Sequence, residues 1–193
     1  MKEKMDKLTC EEIFAEVDKH MTTALMFHSQ MFDYFNFLGL CGFKKLHEYQ
    51  YYDESIGKKR LHKTYIKQYN KLIEPTCHDK VDVIPNEWYK HTRMDIDDGV
   101  LAKYVRKAWK EYLEWEEQTK CLYECVCCIF LERGELTKHD VIKHYLDDVV
   151  CELTEIYKVQ ECLNNVGFDV VYIMEMQENI YKQYKKKMES LEG

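Results

Sequence analysis

Proline and glycine are scarce in this chain, two and seven in 193 residues. So few breakers exclude the turn-rich pattern of β-sandwiches and barrels and leave room for long helices. No segment approaches about 18 consecutive apolar residues, so no membrane-spanning helix is expected. The opening MKEKMDKLTCEEIF lacks the apolar core of a secretory signal. Also missing are a phosphate-binding loop, a dinucleotide fingerprint, an HExxH pair and a nucleophile elbow, which removes several common enzyme signatures. Neither sign of charge dominates: a net charge of -7 with 33% charged residues is too modest to name a partner, and it argues against indiscriminate nucleic-acid binding. The nine cysteines are odd in number, and long helices already supply a core. Reduced thiols in a soluble, cytoplasmic protein are therefore expected.

What is present is helical periodicity. Thr9 and Glu12 make a capping box ahead of Ile13, Phe14, Val17, Met21, Ala24, Leu25, Met31, Phe32 and Phe35, which recur on one stripe. Gly39 and Gly42 bracket a turn, after which Phe43, Leu46, Leu61, Tyr65, Tyr69 and Leu72 mark a second helix that Ser55-Ile56-Gly57 could kink or break. Both prolines, Pro75 and Pro85, fall in an aperiodic crossover over residues 74–98, where PNEWYKHT suits one short turn. Further stripes follow Gly99, the Arg133-Gly134 turn and the Asn164-Asn165-Gly167 stop. The helices are expected over about 9–37, 43–73, 100–132, 137–164 and 168–190, in a single helical domain spanning 1–193. Two hairpins joined by one long crossover resemble ferritin-like connectivity rather than an up-down bundle. The expected fold is thus all-α: a ferritin-like four-helix bundle with one long crossover, plus a fifth, C-terminal helix.

Polar residues interrupt the apolar stripes. His28 lies among the apolar positions of the first helix, His47 and Glu54 lie on the second with Tyr51 between them, Glu116 edges the third, and Glu152 neighbours Val149 and Leu153 on the fourth. All four bundle helices therefore bring a histidine or a carboxylate toward the axis. Buried carboxylates need partners, so clustering is expected. One reading is a metal centre in which oxygen and imidazole donors hold iron or manganese; the other is a hydrogen-bonded polar layer, or wheel-edge residues whose side chains reach water. The di-metal pattern of one Glu from each of two helices and a Glu-x-x-His from each of the other two is not supplied. Its nearest analogues are Glu152-x-x-Glu155, Glu48-x-x-Tyr51 and His47-x-x-Gln50.

The run Phe43-Lys44-Lys45-Leu46-His47-Glu48 resembles the F-x-x-L-H-E start of the second helix in DNA-protecting miniferritins. That resemblance implies iron binding at a subunit interface by the matching histidine, together with a histidine about twelve residues earlier and acidic residues farther along. Here His47 matches, whereas the earlier position holds Tyr34 or Phe35. The stretch from His28 to Ser55 is also similar to uncharacterised ferritin-like proteins of anaerobic Gram-positive bacteria and their phages. No activity follows from that second likeness.

Cys121, Cys125 and Cys128 share the face of the third helix opposite its core stripe. Free thiols behave as small hydrophobes, so cover by the last helix or by a second subunit is expected there. Ile173, Ile180 and Tyr184 on the last helix are candidate interface residues for the same reason. Lys58, Lys59, Arg60, Lys63, Lys67 and Lys71 make a basic face with no accompanying nucleic-acid motif, which reads as a solvated surface. Together these features point first to a non-catalytic ferritin-like protein acting through a protein partner or homo-oligomeric assembly. The phage likeness adds the expectation of an accessory or host-directed inhibitor. The alternative is an iron-binding protein or ferroxidase whose variant centre is built from His28, His47, Glu54, Glu116 and Glu152.

Overall fold

The computed structural model describes residues 2–90 and 96–192. Its helices are α1 (Lys2–Met5), α2 (Cys10–Leu38), α3 (Cys41–Tyr69), α4 (Asp98–Glu132), α5 (Leu136–Asn165) and α6 (Val170–Glu192), with a 3₁₀ turn at Asn86–Tyr89 in the crossover. Among the described residues there is no strand. The fold is an all-α, ferritin-like bundle of α2 to α5 with α6 added, as the punctuation of the sequence implied. His91 and Thr92 of the turn expected at PNEWYKHT lie outside the described residues.

Local chemistry sets the ends. Glu12 N–H donates to Thr9 Oγ1 at 3.2 Å while Thr9 N–H donates to the Glu12 carboxylate at 2.7 Å, closing the capping box of α2. Gly39 stops α2 with φ +76°, a conformation that suits glycine. Ser55-Ile56-Gly57 does not break α3. Instead Gly57 faces α5, and its carbonyl accepts from Tyr145 Oη at 3.1 Å. The helix ends at Tyr69, short of 73, because Asn70 turns left-handed at φ +53°. Leu72, expected on the stripe, is exposed.

The crossover is tied down rather than loose. Gln30 of α2 grips it from both sides of its amide, donating to Val81 O at 2.9 Å and accepting from Val83 N–H at 3.1 Å. Trp88 then inserts between Tyr34, Phe37 and Tyr104. Asp97 caps α4 by accepting from Val100 N–H at 2.8 Å. At the far end Arg133 donates to the carbonyls of Leu8 and Asp6, pinning the segment after α1 against the α4–α5 turn.

Two apolar clusters fill the bundle. One gathers Phe35, Phe43, Trp88, Trp109, Ile173 and Ile180; the other gathers Phe14, Val17, Tyr65, Phe130, Ile142 and Val149. Between them every bundle helix carries polar residues, so the core is interrupted at mid-height.

Helix α6 packs chiefly along α3. The N-cap of α3 is Leu40, which has no capping side chain, so the first N–H groups of the helix lack a local acceptor. The acceptor comes from α6: Gly42 N–H donates to Gln177 Oε1 at 2.7 Å. Only glycine permits that approach, since a Cβ on residue 42 would lie 1.6 Å from the Gln177 carbonyl oxygen. The atom met is backbone, so no rotamer relieves the collision. Gln177→Ala is expected to lose about 0.5–2 kcal/mol, the range for loss of a cap. Gly42→Ala is expected to lose about 1–3 kcal/mol, as overpacking does. Urea unfolding of the two variants checks this; wild-type midpoints in both would show that α6 is not anchored there.

Candidate metal centre

The break between the two apolar clusters is built by helical spacing. On α2, His28 follows Ala24 by four residues; on α3, His47, Gln50 and Glu54 succeed one another at three and four; on α4, Tyr112 and Glu116 are four apart; on α5, Glu152 precedes Ile156 by four. Each stripe therefore presents its polar side chains on one face of its helix, spread on α3 over about 10.5 Å from His47 to Glu54. His28, His47, Gln50 and Glu116 are buried, and Glu54 and Glu152 are half-buried along the groove between α3 and α5.

The two histidines bond to each other, Nδ1 to Nδ1 at 3.1 Å. One of these nitrogens must carry the hydrogen and the other the lone pair, so the tautomers are linked and both rings can be neutral. Burial pushes His28 down to about 3. It pushes His47 well below the usual imidazole range, with His28 adding a smaller push. The His47 ring is fixed between Phe35, stacked at 5.5 Å, and Tyr112, edge-on at 4.7 Å. His28 Nε2 faces Glu116 Oε1 at 3.8 Å, too far for a hydrogen bond. Gln50 Nε2 donates to Tyr112 Oη at 3.1 Å.

No lysine or arginine among the described residues pairs with the three carboxyls, and each is pushed toward its protonated form. Burial raises Glu54 to about 8, with Asp53 and Asp148 adding to it. Burial first, then Glu152 and Glu54, raise Glu116 well above the ordinary carboxylate range. Glu152 is raised by burial and by Glu54 and Asp53, against a smaller opposing hydrogen bond from Gln50. Glu54 and Glu152 also line a cleft of about 290 Å³ between α3 and α5, with Asp53 and Asp148. Arg60 spans it to His144, which faces Asp148 at 3.7 Å.

Of the five expected ligands, His28 bonds His47 and faces Glu116, whereas Glu54 and Glu152 act on the Glu116 carboxyl by charge alone. Gln50 and Tyr112 complete the layer. They sit at i+3 from His47 and i-4 from Glu116, the positions where helical spacing places neighbours. Tyr51, expected on the same side as His47 and Glu54, is instead 40% exposed. Glu155 points to α6, where Tyr184 Oη donates to it at 2.8 Å. Among the described residues no three His, Cys, Asp or Glu side chains converge as a ready set of metal ligands. The donors nevertheless suit iron or manganese in kind, being carboxyl oxygen and imidazole nitrogen, and a cation would take the place of the protons that burial holds on the carboxyls.

The expected interface divides differently. Ile173, Ile180 and Tyr184 are buried within the chain because α6 folds onto its own bundle, which corrects their assignment to a subunit contact. The thiol face is not under α6 either. Cys121 and Cys128 are exposed, and Cys125 is half-buried at the edge of the second apolar cluster, which also holds Met5 of α1. Cys127, which the sequence pattern did not single out, is buried, and burial raises its thiol to about 11.

No family model matches the chain, and no curated protein matches it. Among solved structures, an open pore ferritin from the hyperthermophilic archaeon Archaeoglobus fulgidus aligns with a TM-score of 0.71 over 89% of this chain and 94% of that chain, at 14% identity. A closed form of the same ferritin, made by site-directed mutagenesis, aligns at 0.71 over 91% and 97%, again at 14% identity. These likenesses establish the ferritin-like four-helix-bundle fold.

Burial of the layer makes stability depend on pH. Folded Glu54 holds its proton to about 8, and Glu116 and Glu152 are raised too, whereas the unfolded carboxyls release theirs near 4.5. Folded His28 and His20, lowered to about 3 and about 4, act oppositely, but only below 6.5. Above 6.5 these imidazoles are neutral in both states, so chelator-treated protein is expected to lose stability as pH rises from 6.5 to 8. Glu54→Gln should flatten that loss. Urea midpoints across the window check it, and a flat or rising wild-type profile would contradict the burial of these carboxyls.

Proposed function

We propose that the chain is a ferritin-like metal-binding protein that holds iron or manganese in the mid-bundle layer. The observation that carries this reading is the pair His28 Nε2 and Glu116 Oε1, both buried and 3.8 Å apart with no hydrogen bond between them. Two donors that each lie about 2.1 Å from one ion fall within about 4.2 Å of each other, so the pair has the spacing of shared ligands. The outer bond of His28 supports the same role. When His28 Nδ1–H donates to His47 Nδ1, the lone pair of His28 is left on Nε2, toward Glu116. Metal-ligating imidazoles commonly have their second nitrogen held in this way.

His47 then orients His28 instead of ligating, and Phe35 and Tyr112 hold the His47 ring. Glu152 and Glu54, charge-coupled to Glu116, are the further carboxylate donors, and none of the three is paired with a lysine or arginine among the described residues. A bound iron supplies one-electron chemistry. The chain itself binds the cation, releases protons from Glu116 and Glu152 as it does so, and shields the layer from water with the apolar clusters above and below.

A second reading, assembly, is favoured by a different observation. Cys121, Val150 and Tyr157 leave thiol, aliphatic and aromatic surface exposed along the outer groove of α4 and α5. It concerns another face and is compatible with metal binding. The proposal does not extend to a host-directed inhibitor, for which neither the site nor the comparisons offer support.

Elemental analysis after aerobic iron loading tests the metal reading. About one or more iron per chain is expected, falling at least tenfold in His28→Ala and in the Glu116→Gln, Glu152→Gln double variant. Manganese titration at two pH values should show proton release. No bound metal and no iron oxidation would overturn the reading. Native mass tests assembly separately: an oligomer supports it, and a monomer at micromolar concentration counts against it.

A further inference from the structure

The open cleft between α3 and α5 holds more carboxyls than cations. Asp53 and Glu54 line it from α3, and Asp148 and Glu152 from α5, around a volume of about 290 Å³. Asp53 is pushed up by burial and then by Asp148, and Glu152 by burial and then by Glu54, so the four oppose one another as two pairs. Along α5 the pairs are one helical turn apart, about 6 Å. The outer pair includes the exposed Asp148, whereas both members of the inner pair are half-buried. Arg60, the cation at the cleft, bonds His144 and makes no ion pair with any of the four among the described residues.

Acidic walls alone select nothing, but α4 adds a group of a different kind. Tyr123 is 2% exposed, lines the cleft, and its hydroxyl makes no hydrogen bond among the described residues. Unlike the sealed Tyr69 hydroxyl and Trp109 indole nitrogen, the Tyr123 oxygen keeps accessible surface. Burial, with Glu54 and Glu116 adding to it, holds that phenol in its neutral form, so its oxygen is free to accept. The neighbouring Tyr145 hydroxyl is already committed to Gly57 O. Met21, Ile56 and Val149 give the cleft apolar wall beside its carboxyls. No three of the acidic or imidazole side chains converge on one point among the described residues, so the acidic groups are spread along the cleft. A single ion cannot meet both pairs at once; a ligand with two separated charges can.

We infer that this cleft binds a short linear diamine in its diammonium form, one nitrogen between Asp53 and Asp148 and the other between Glu54 and Glu152, donating to Tyr123 Oη. Four extended methylenes span about the 6 Å of one helical turn, and they lie against the apolar wall. Each ammonium brings three N–H donors and no acceptor, which matches carboxylates and a bare phenol oxygen. It also takes the place of the proton that Glu54 otherwise holds to about 8. A monoamine serves one pair and leaves the other as it was, and an uncharged diol serves neither. The volume, at the lower edge of small-molecule sites of about 300 Å³ and upward, excludes bulky cations. The inference does not rest on metal binding, although Glu54 and Glu152 belong to both sites.

The probes are 1,4-diaminobutane, butylamine and 1,4-butanediol, titrated calorimetrically into full-length, chelator-treated protein at constant ionic strength. One diamine per chain is expected, bound at least about tenfold more tightly than butylamine, the scale of one charge-assisted hydrogen bond. The diol is expected to give no saturable heat. Asp148→Asn, at the exposed mouth, should bring the diamine down toward the affinity of butylamine, and Tyr123→Phe should weaken it about fivefold. Asp33→Asn, which removes an exposed acid of α2 outside the cleft, should leave binding unchanged. Equal affinity for diamine and butylamine would overturn the inference, as would wild-type affinity in Asp148→Asn or in Tyr123→Phe. So would an equal loss in Asp33→Asn, which would mark attraction to net charge and no built site. If Tyr123→Phe fails to fold, the three probes and Asp148→Asn still decide. Every titration is made without metal, so absent diamine binding overturns this inference alone, and absent iron after loading overturns the metal reading alone.

Discussion

A carboxyl group taken out of water must keep its proton, find hydrogen bonds or meet a cation. The middle of this bundle contains one such group, Glu116 of α4, with Glu54 of α3 and Glu152 of α5 half-buried beside it and two histidines made neutral by burial. That constraint organises the rest. The apolar core cannot run continuously through the layer, so it divides into a cluster around Phe35, Phe43 and Trp109 and another around Phe14, Tyr65 and Phe130. The division gives the layer dry walls above and below. Dry walls strengthen every charge interaction between them and raise the affinity of the site for whatever neutralises it, proton or cation.

Helix α6 decides how the layer meets solvent. Its Gln177 caps α3 where Leu40 cannot, and Gly42 admits its backbone at close range. Fixed at that end, α6 runs over the α3–α5 gap with Ile173, Ile180 and Tyr184 turned inward. One part of the gap becomes the cavity lined by Trp109 and Tyr112, while the other remains the acidic cleft lined by Asp53 and Asp148. Glu152 borders both. The Glu152 carboxyl thus borders two chemically distinct neighbourhoods, one acidic and one more apolar. The inward face of α6 is consumed in doing so, while Val171, Tyr172, Met174 and Tyr181 on its other side stay exposed.

The architecture was legible because its signals are local. Thr9 with Glu12, Gly39, Gly134 and Gly167 act through the backbone of their own turns, and apolar spacing identifies a helix without reference to its neighbours. The polar positions His28, His47, Glu54, Glu116 and Glu152 were legible for the same reason, as departures from apolar stripes. Neighbours distant in the chain were not legible in this way: α3 runs unbroken through Gly57, whose carbonyl bonds Tyr145, and Gln177 supplies the acceptor that Leu40 cannot. The thiol triad misled differently, since the helix expected to cover it had a better partner in α3.

By itself, then, the sequence determined helix positions, their connectivity and the height at which polar residues enter the bundle, because those depend on periodicity and on turns of a few residues. Only the tertiary structure decided which polar atoms meet. That His28 bonds His47 through Nδ1 and turns Nε2 to Glu116, that Gln50 serves Tyr112, and that Trp109 is left without an acceptor follow from the rotation and separation of helices brought together across as many as 88 residues, as between His28 and Glu116. A hydrogen bond is made or lost within a few tenths of an ångström, a scale that helical periodicity does not reach.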